Sequence, residues 1–125
     1  MDLKGLGEVG KDEVLEVLRH VYDPDYIDTS VVDLGLINGE DIKIAGDSIE
    51  VAYKVTAPLC PFSVAIGVMI KYALEKKFGV HARVKMKSGH LQENLVSRIL
   101  TDEGKQKELL KKLESYGILE QCVRI

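Results

Sequence analysis

The sequence predicts an α+β fold, a small α/β sandwich in which helices cover one face of a mixed sheet. Segments with a helical spacing of apolar residues are interspersed with segments of strict apolar–polar alternation, in the order α-β-β-β-α-β followed by further helices. The 125 residues are 46% hydrophobic and 30% charged, as expected for one globular domain with one core. We predict a single domain over residues 1–125, with a core at 11–87 and a C-terminal helical extension at 88–125.

The first elements are predicted to be a helix and a strand. The apolar residues of the helix recur at helical spacing: Val14, Leu15, Leu18 and Val21. The helix should end before Asp23-Pro24, because a residue that precedes proline avoids the helical region. The segment from Ser30 to Ile37 is rich in β-branched and aliphatic residues, and Asn38-Gly39 is a strong turn signal. We therefore predict a strand over this segment.

The middle of the chain predicts a hairpin, a helix and another strand. Ile42 to Ala45 and Ser48 to Thr56 flank a Gly46-Asp47 turn, which predicts an antiparallel pair. Apolar residues at helical spacing predict a helix over Ser63 to Phe78, ended by Gly79. From Val80 to Met86 apolar residues alternate with basic ones, which predicts a strand with one buried face.

The C-terminal extension is predicted to be helical. Leucines at helical spacing follow Ser88-Gly89-His90, and Thr101 is the predicted cap of a last helix over Asp102 to Tyr116, ended by Gly117. The tail from Ile118 to Ile125 fits either a short strand or an ordered coil. The leucines of this extension either form a partner or dimer surface or cover the core of this domain.

Composition argues against several classes of protein. A formal net charge of −3 without a long Lys/Arg run argues against nucleic-acid binding. The most apolar run, Val64 to Ile70, is too short to span a membrane, and the start lacks a signal-peptide pattern, so we expect a cytoplasmic protein. Cys60 and Cys122 are distant in sequence and form no C-x-x-C pair, so neither a disulfide nor a zinc motif is predicted.

One turn carries the most specific chemistry in the chain. Cys60 lies between Pro58 and Pro61, after a predicted strand and before a predicted helix. The free N–H groups and positive dipole end of a helix favour a thiolate, which is both a nucleophile and a metal ligand. The alternative is that Cys60 is a small buried hydrophobe. The two prolines are expected to fix the shape of the turn.

Three further residues are candidates for the same pocket. A carboxylate at Asp33, in the predicted strand, either faces the cysteine turn as an acceptor or hard ligand or bonds N–H groups of the following turn. Gly35 either allows a close approach beside Asp33 or forms a β-bulge. Thr56 either hydrogen-bonds into the turn that holds Cys60 or caps the next element.

The remaining candidate ligands have simpler explanations. His81 and His90 belong to no metal-spaced cluster, and His81 alternates outward with basic residues. His20 lies near the end of the first helix, where it suits the helix dipole. Cys122 is predicted to be a hydrophobe of the tail.

Three segments together resemble the PaaD/SufT-like iron–sulfur cluster assembly family: Asp23-Pro24, the run from Val32 to Ile37 that contains Asp33 and Gly35, and the turn Thr56-Ala57-Pro58-Leu59-Cys60-Pro61. The resemblance covers Val14 to Met86 and implies the fold of an iron–sulfur assembly domain. It implies a non-enzymatic adaptor or carrier that assembles or delivers iron–sulfur clusters with other assembly proteins and client apo-proteins.

Several expectations follow from this resemblance. Cys60 alone cannot hold a cluster, so a cluster or iron is expected to bind transiently, at a ligand shared across a homodimer or with a partner. No stably bound cofactor is expected. Two alternatives stay open: a thiol enzyme with Cys60 as nucleophile, which needs a base or a resolving thiol, and an interaction module that serves a client oxygenase.

Overall fold

The computed structural model describes residues 10–23, 26–45, 48–54, 63–87 and 93–124. The bounds of the elements are, in chain order, α1 Lys11–Leu18, β1 Tyr22–Asp23, β2 Tyr26–Ser30, a 3-10 turn Gly39–Asp41, β3 Ile42–Ala45, β4 Ser48–Tyr53, α2 Ser63–Phe78, β5 His81–Met86, α3 Glu93–Leu100, α4 Glu103–Ser115 and α5 Ile118–Cys122. None of the described helices is both long and apolar enough to cross a membrane. The predicted α+β class is confirmed.

A mixed three-stranded sheet, in the order β3-β4-β5, forms the centre of the fold. Strands β3 and β4 are antiparallel, with Ile42 opposite Val51, as the predicted hairpin requires. Strands β4 and β5 are parallel, with Tyr53 opposite Met86. A parallel pair needs a crossover connection, and α2 provides it. The hairpin, α2 and β5 therefore confirm the predicted elements for the middle of the chain. Strand β4 is shorter than predicted, because it ends at Tyr53 and Lys54 lies outside it.

One face of the sheet is buried beneath the helices. The alternating residues of β4 and β5 on this face are almost fully buried: Ile49, Val51, Tyr53, Ala82, Val84 and Met86. Helix α2 contributes a further set of buried side chains: Ile66, Val68, Met69, Ile70, Ala73 and Leu74. The other face carries exposed polar residues, among them His81, Arg83 and Lys85 of β5. This division confirms a sandwich with helices on one side of the sheet.

The segment 30–37 is a series of turns, so the strand predicted there is wrong. Strand β2 ends at Ser30 and pairs with β1. The N–H of Leu34 then donates to the Ser30 carbonyl at 3.0 Å, and that of Leu36 to the Val31 carbonyl at 3.0 Å. Gly35 has φ +77°, which lies outside the strand region. The aliphatic character of the segment reflects the burial of Val31, Leu36 and Ile37.

Helix α1 is shorter than predicted. It ends at Leu18, and Val21 forms an isolated antiparallel bridge with Val123 instead of continuing the helical stripe. Val21 is nevertheless fully buried, so its place in the apolar pattern reflects the core and not the helix.

The C-terminal extension packs against the core of its own chain. Leu100, Leu113 and Cys122 are buried, and the N–H of Arg124 donates to the His20 carbonyl at 2.8 Å. The tail was expected to be a strand or a coil, but it contains the short helix α5 before the bridge at Val123. This packing supports the expectation that the leucines of the extension cover the core of this domain.

The cap of α4 also differs from the prediction. Asp102, and not Thr101, is the N-cap residue, and its Oδ1 accepts the N–H of Lys105 at 3.1 Å. Thr101 instead donates its hydroxyl to the Ser97 carbonyl at 2.7 Å. Aspartate and threonine are both common caps, so the sequence alone favoured a residue one position too early.

Candidate functional site

The candidate site lies where β4 and β5 end and the chain passes toward α2. The two strands are parallel, so their carboxyl ends share one edge of the sheet, where the N–H of Lys87 donates to the Tyr53 carbonyl at 2.8 Å. The chain then runs through residues 55–62 before α2 begins at Ser63. This segment, which lies outside the described residues, holds four predicted site residues: Thr56, Pro58, Cys60 and Pro61.

The turn that contains Asp33 and Gly35 contacts the end of β4. The N–H of Lys54 donates to the Leu36 carbonyl at 3.1 Å. Lys54 is the last described residue before the segment that holds Cys60. This main-chain hydrogen bond therefore links the turn that contains Asp33 to the residue that precedes the segment with Cys60. The contact between Asp33 and Cys60 stays a prediction.

Asp33 is exposed on a turn, so its predicted place in a strand core is wrong. Its side chain is 59% exposed, and its Oδ1 lies 3.7 Å from Nη1 of Arg19. Its main-chain N–H donates to Ser30 Oγ at 3.1 Å, while no described N–H group donates to its carboxylate. An exposed ion pair of this kind contributes about 0–1 kcal/mol to stability. The carboxylate is therefore available at the surface.

Gly35 is required by the shape of this turn. Its φ of +77° lies in the left-handed region, which side chains other than glycine rarely adopt. Among the residues that the structure describes, no heavy atom lies within 4 Å of a Cβ added there. Because Gly35 lies in a turn and in no strand, it forms no β-bulge, while the close approach expected beside Asp33 stays a prediction.

A half-buried ion pair at the same end of the sheet was missed by the sequence analysis. Lys87 follows β5, and its Nζ lies 2.9 Å from Oδ2 of Asp41, with side chains that are 30% and 12% exposed. The same Oδ2 accepts the N–H of Asn38 at 2.8 Å. The spacing of Asn38 and Asp41 is typical of a cap and signals that local bond. No local pattern joins Asp41 to Lys87.

The described residues do not form a complete metal site. No group of three or more His, Cys, Asp or Glu side chains that could hold a metal ion occurs in the described part of the chain. His81 is exposed as predicted, with its Nδ1 3.5 Å from Glu75 Oε2. His20 Nε2 lies 3.5 Å from Glu16 Oε2, and His90 lies outside the described residues.

Cys122 is a buried thiol, as predicted for a hydrophobe of the tail. Its side chain belongs to the core, with 1% of the residue exposed. Burial raises the pKa of the Cys122 thiol above its ordinary value of 9.0; Arg124 opposes this shift and Asp23 adds to it. Because its sulfur is buried in the core and the raised pKa favours the thiol over the thiolate, Cys122 is the weaker candidate for a nucleophile or metal ligand.

The profile of a known family matches this chain. The family is described as iron–sulfur cluster assembly protein, and the match covers residues 11–85. The chain belongs to this iron–sulfur cluster assembly family. No curated protein sequence matches it. The family match runs from α1 into β5, includes both the turn at Asp33 and the segment with Cys60, and confirms the resemblance seen in the sequence.

Membership gives the protein a role in iron–sulfur cluster assembly in general. The family is one of assembly proteins and not a known catalytic family, which is compatible with a function other than catalysis. Membership in a family of assembly proteins also suggests interaction with the iron–sulfur assembly machinery. The matched residues end just before Met86, so the extension beyond β5 lies outside the family match.

Proposed function

We propose that this family member is a non-enzymatic adaptor or carrier that assembles or delivers iron–sulfur clusters through the thiolate of Cys60. The observation that carries the proposal is the family match over residues 11–85, which includes Cys60. Thiolate sulfur is the usual protein ligand of iron–sulfur clusters. The second cysteine, Cys122, is buried as a thiol, which leaves Cys60 as the candidate sulfur ligand.

The local structure supports a thiolate at this position. Cys60 precedes by three residues the start of α2 at Ser63, and α2 is 16 residues long. The amino end of such a helix carries partial positive charge, which stabilises an anion close to it. Asp33 is the anion that we predict to lie near Cys60 and to oppose this effect, but its carboxylate is exposed and lies beside Arg19, so solvent and the guanidinium weaken its influence.

Because Cys60 supplies a single thiolate, the proposed cluster binds only transiently. Iron–sulfur clusters are held by several protein ligands, commonly four cysteines, and the described residues supply no metal-binding group of their own. In this proposal the remaining ligands come from a second copy of the chain, an assembly partner or a client apo-protein. We propose that Cys60 is a shared ligand during this transfer, with cluster or iron bound transiently.

Anaerobic reconstitution tests this proposal. The untagged protein is incubated with iron and sulfide, and its iron and acid-labile sulfide are measured before and after mixing with an apo-ferredoxin. Wild-type protein should take up both elements and pass them on, and Cys60→Ala should do neither. Cys122→Ala is the matched control, which removes the other thiol and should behave as wild type.

The same experiment distinguishes where the other ligands come from. The molecular mass of the loaded protein should double if a second copy shares the cluster. If the apo-ferredoxin completes the site, wild type should take up iron and sulfide only once the apo-ferredoxin is present. Equal uptake and transfer by wild type and Cys60→Ala would show that Cys60 has no part in binding the cargo.

A further inference from the structure

Strand β5 lies at one edge of the sheet and presents main-chain groups on its outer side. In a strand, the N–H and C=O groups of successive residues point to opposite sides. Lys87, just after β5, donates its N–H to Tyr53 of β4. The residues of β5 with the same parity as Lys87 therefore bond β4, while Ala82, Val84 and Met86 direct their N–H and C=O groups outward.

The first of these outward positions is closed by side chains of α2. Lys71 Nζ donates to the Ala82 carbonyl at 2.6 Å, and the Ala82 N–H donates to Glu75 Oε2 at 3.0 Å. Lys71 Nζ also donates to Glu75 Oε2 at 2.7 Å, so the two side chains form one unit. These bonds confirm the outward direction of Ala82. They also show how the chain satisfies edge groups that have no neighbouring strand among the described residues.

The next position, Val84, opens into a groove. No side chain in the described ranges hydrogen-bonds the N–H or C=O of Val84. The groove has a volume of about 750 Å³ and runs between β5 and the junction of α3 with α4, where Leu100, Gln106 and Leu110 line it. A sheet edge within a groove is the surface to which an extended peptide adds as a further strand.

The two sides of this groove differ in chemistry. On the helical side, Val84 lies with the apolar side chains of Leu100 and Leu110. On the other side, Arg83 and Lys85 of β5 are exposed. Alternate residues of a strand point to opposite faces. A strand added here would therefore place one set of alternating side chains against the apolar side and the other set against the basic side.

The charge of the groove is opposite to that of the whole chain. Its lining contains four cations, Lys71, Arg83, Lys85 and Lys107, and two carboxylates, Glu75 and Glu103, while the chain carries a formal net charge of −3. Glu75 is already bonded to Lys71 and Ala82. Lys85 is paired with Glu50 of β4, its Nζ 3.2 Å from Glu50 Oε2. Neither Arg83 nor Lys107 has an ion-pair partner among the residues that the structure describes.

We propose that the edge of β5 binds an extended segment of a partner protein in which acidic and apolar residues alternate. The segment pairs its main chain with Val84, places its acidic side chains toward Arg83 and Lys85, and its apolar side chains toward Leu100 and Leu110. This docking surface is independent of Cys60. If no segment binds at this edge in the test below, the proposed role of Cys60 is unaffected.

A dye-labelled heptapeptide of alternating glutamate and valine, blocked at both ends, is the probe. Its anisotropy on titration with the full-length chain should show saturable binding that weakens with added salt. Arg83→Glu should weaken binding about tenfold or more. Lys43→Glu is the matched control: it makes the same charge change at exposed Lys43 of β3, the opposite edge, and should change affinity less than about twofold.

Two N-methylated versions of the peptide separate strand addition from charge attraction. One carries the methyl groups on the glutamates and the other on the valines. In an added strand only every second residue directs its N–H toward Val84, so pairing requires the N–H groups of either the glutamates or the valines, but not of both. One methylated version should therefore lose binding and the other should keep it. Absence of saturation up to about 1 mM, equal weakening by Arg83→Glu and Lys43→Glu, or unchanged binding of both methylated peptides would each overturn the proposal.

Discussion

Gly67 in α2 shows how closely the helix lies on the sheet. A Cβ at this position would come within 2.5 Å of Tyr53 Oη and 3.0 Å of Leu100 Cδ1, and Tyr53 is fully buried. Gly67→Ala should therefore lower the free energy of unfolding by about 1–3 kcal/mol. This range is the net loss, after the roughly 1 kcal/mol that alanine gains as a helix former. Urea unfolding at equilibrium measures it.

Gly39→Ala is the matched control for this prediction. A Cβ at Gly39 would lie 3.9 Å from Leu15 Cδ1, an ordinary contact. Its free energy of unfolding should stay within about 0.5 kcal/mol of wild type. A Gly67→Ala protein as stable as Gly39→Ala would contradict the close packing of α2 on Tyr53.

Cys122 predicts a specific dependence of stability on pH. Burial raises the pKa of its thiol in the folded chain above the ordinary value of 9.0. The unfolded chain therefore loses this proton first, and the stabilising contribution is present below pH 9.0 and is lost as the pH rises from there toward the raised pKa. Urea unfolding measured from neutral to alkaline pH should show this decline.

Cys122→Ala should remove that component of the decline, since it removes the thiol. In the native protein at neutral pH, Cys122 should also resist alkylation, because it is buried and protonated. Identical alkaline profiles for wild type and Cys122→Ala would contradict the raised pKa.

Single residues were predictable where one local pattern determines them. The exposure of His81 follows from strand alternation. The pairs Arg19–Asp33 and Asp41–Lys87 could not be predicted, because each joins side chains from different elements. For Cys60 the sequence supplied the residue type and its position before α2.

Helix α4 provides a test at the scale of an element. Asp102→Ala should lower the free energy of unfolding by about 0.5–2 kcal/mol, because the N–H of Lys105 loses its acceptor. Thr101→Ala, the neighbouring position, should cost less than about 0.5 kcal/mol, since its exposed hydroxyl caps no N–H group. Thermal unfolding with circular dichroism compares the two. A larger loss for Thr101→Ala would show that the cap is assigned to the wrong residue.

The elements that the sequence predicted well are those whose periodicity and boundary signals agree. Strand β5 alternates strictly, and α2 ends at Phe78, just before Gly79, which has φ +68°. The strand predicted over residues 30–37 was wrong because β-branched and aliphatic residues are common in buried segments of any structure, and not only in strands. Two local features indicate a turn here. Gly35 adopts a positive φ, and Ser30 Oγ accepts the N–H of Asp33.

At the scale of the whole molecule, the extension and the family domain share one core. Leu113 of α4 is 4% exposed within this core. Leu113→Ala should therefore lower the free energy of unfolding by about 2–5 kcal/mol. The variant should still unfold in one transition, with coincident curves from backbone and tyrosine circular dichroism.

Tyr116→Ala is the control at the end of the same helix. Tyr116 is 75% exposed, so its removal should change stability by less than about 0.5 kcal/mol. Two separate transitions in either variant would show that the extension folds independently of the matched domain.

The overall architecture was predictable because the order of elements restricts how a sheet and its helices can pack. The arrangement of the site does not follow from the order of elements. Its described part depends on the bond from Lys54 to Leu36, which joins two segments that no local pattern relates. The bridge between Val21 and Val123 likewise brings together the two ends of the described chain.

The activity of iron–sulfur enzymes in cells that lack this protein tests the role of Cys60 most directly. Wild type, Cys122→Ala and Cys60→Ala are expressed to equal levels in such cells, and the activities of the dependent enzymes are measured. Wild type and Cys122→Ala should restore these activities, while Cys60→Ala should leave them at the level of cells without the protein. Full restoration by Cys60→Ala would contradict the proposal that this thiolate assembles or delivers the cluster.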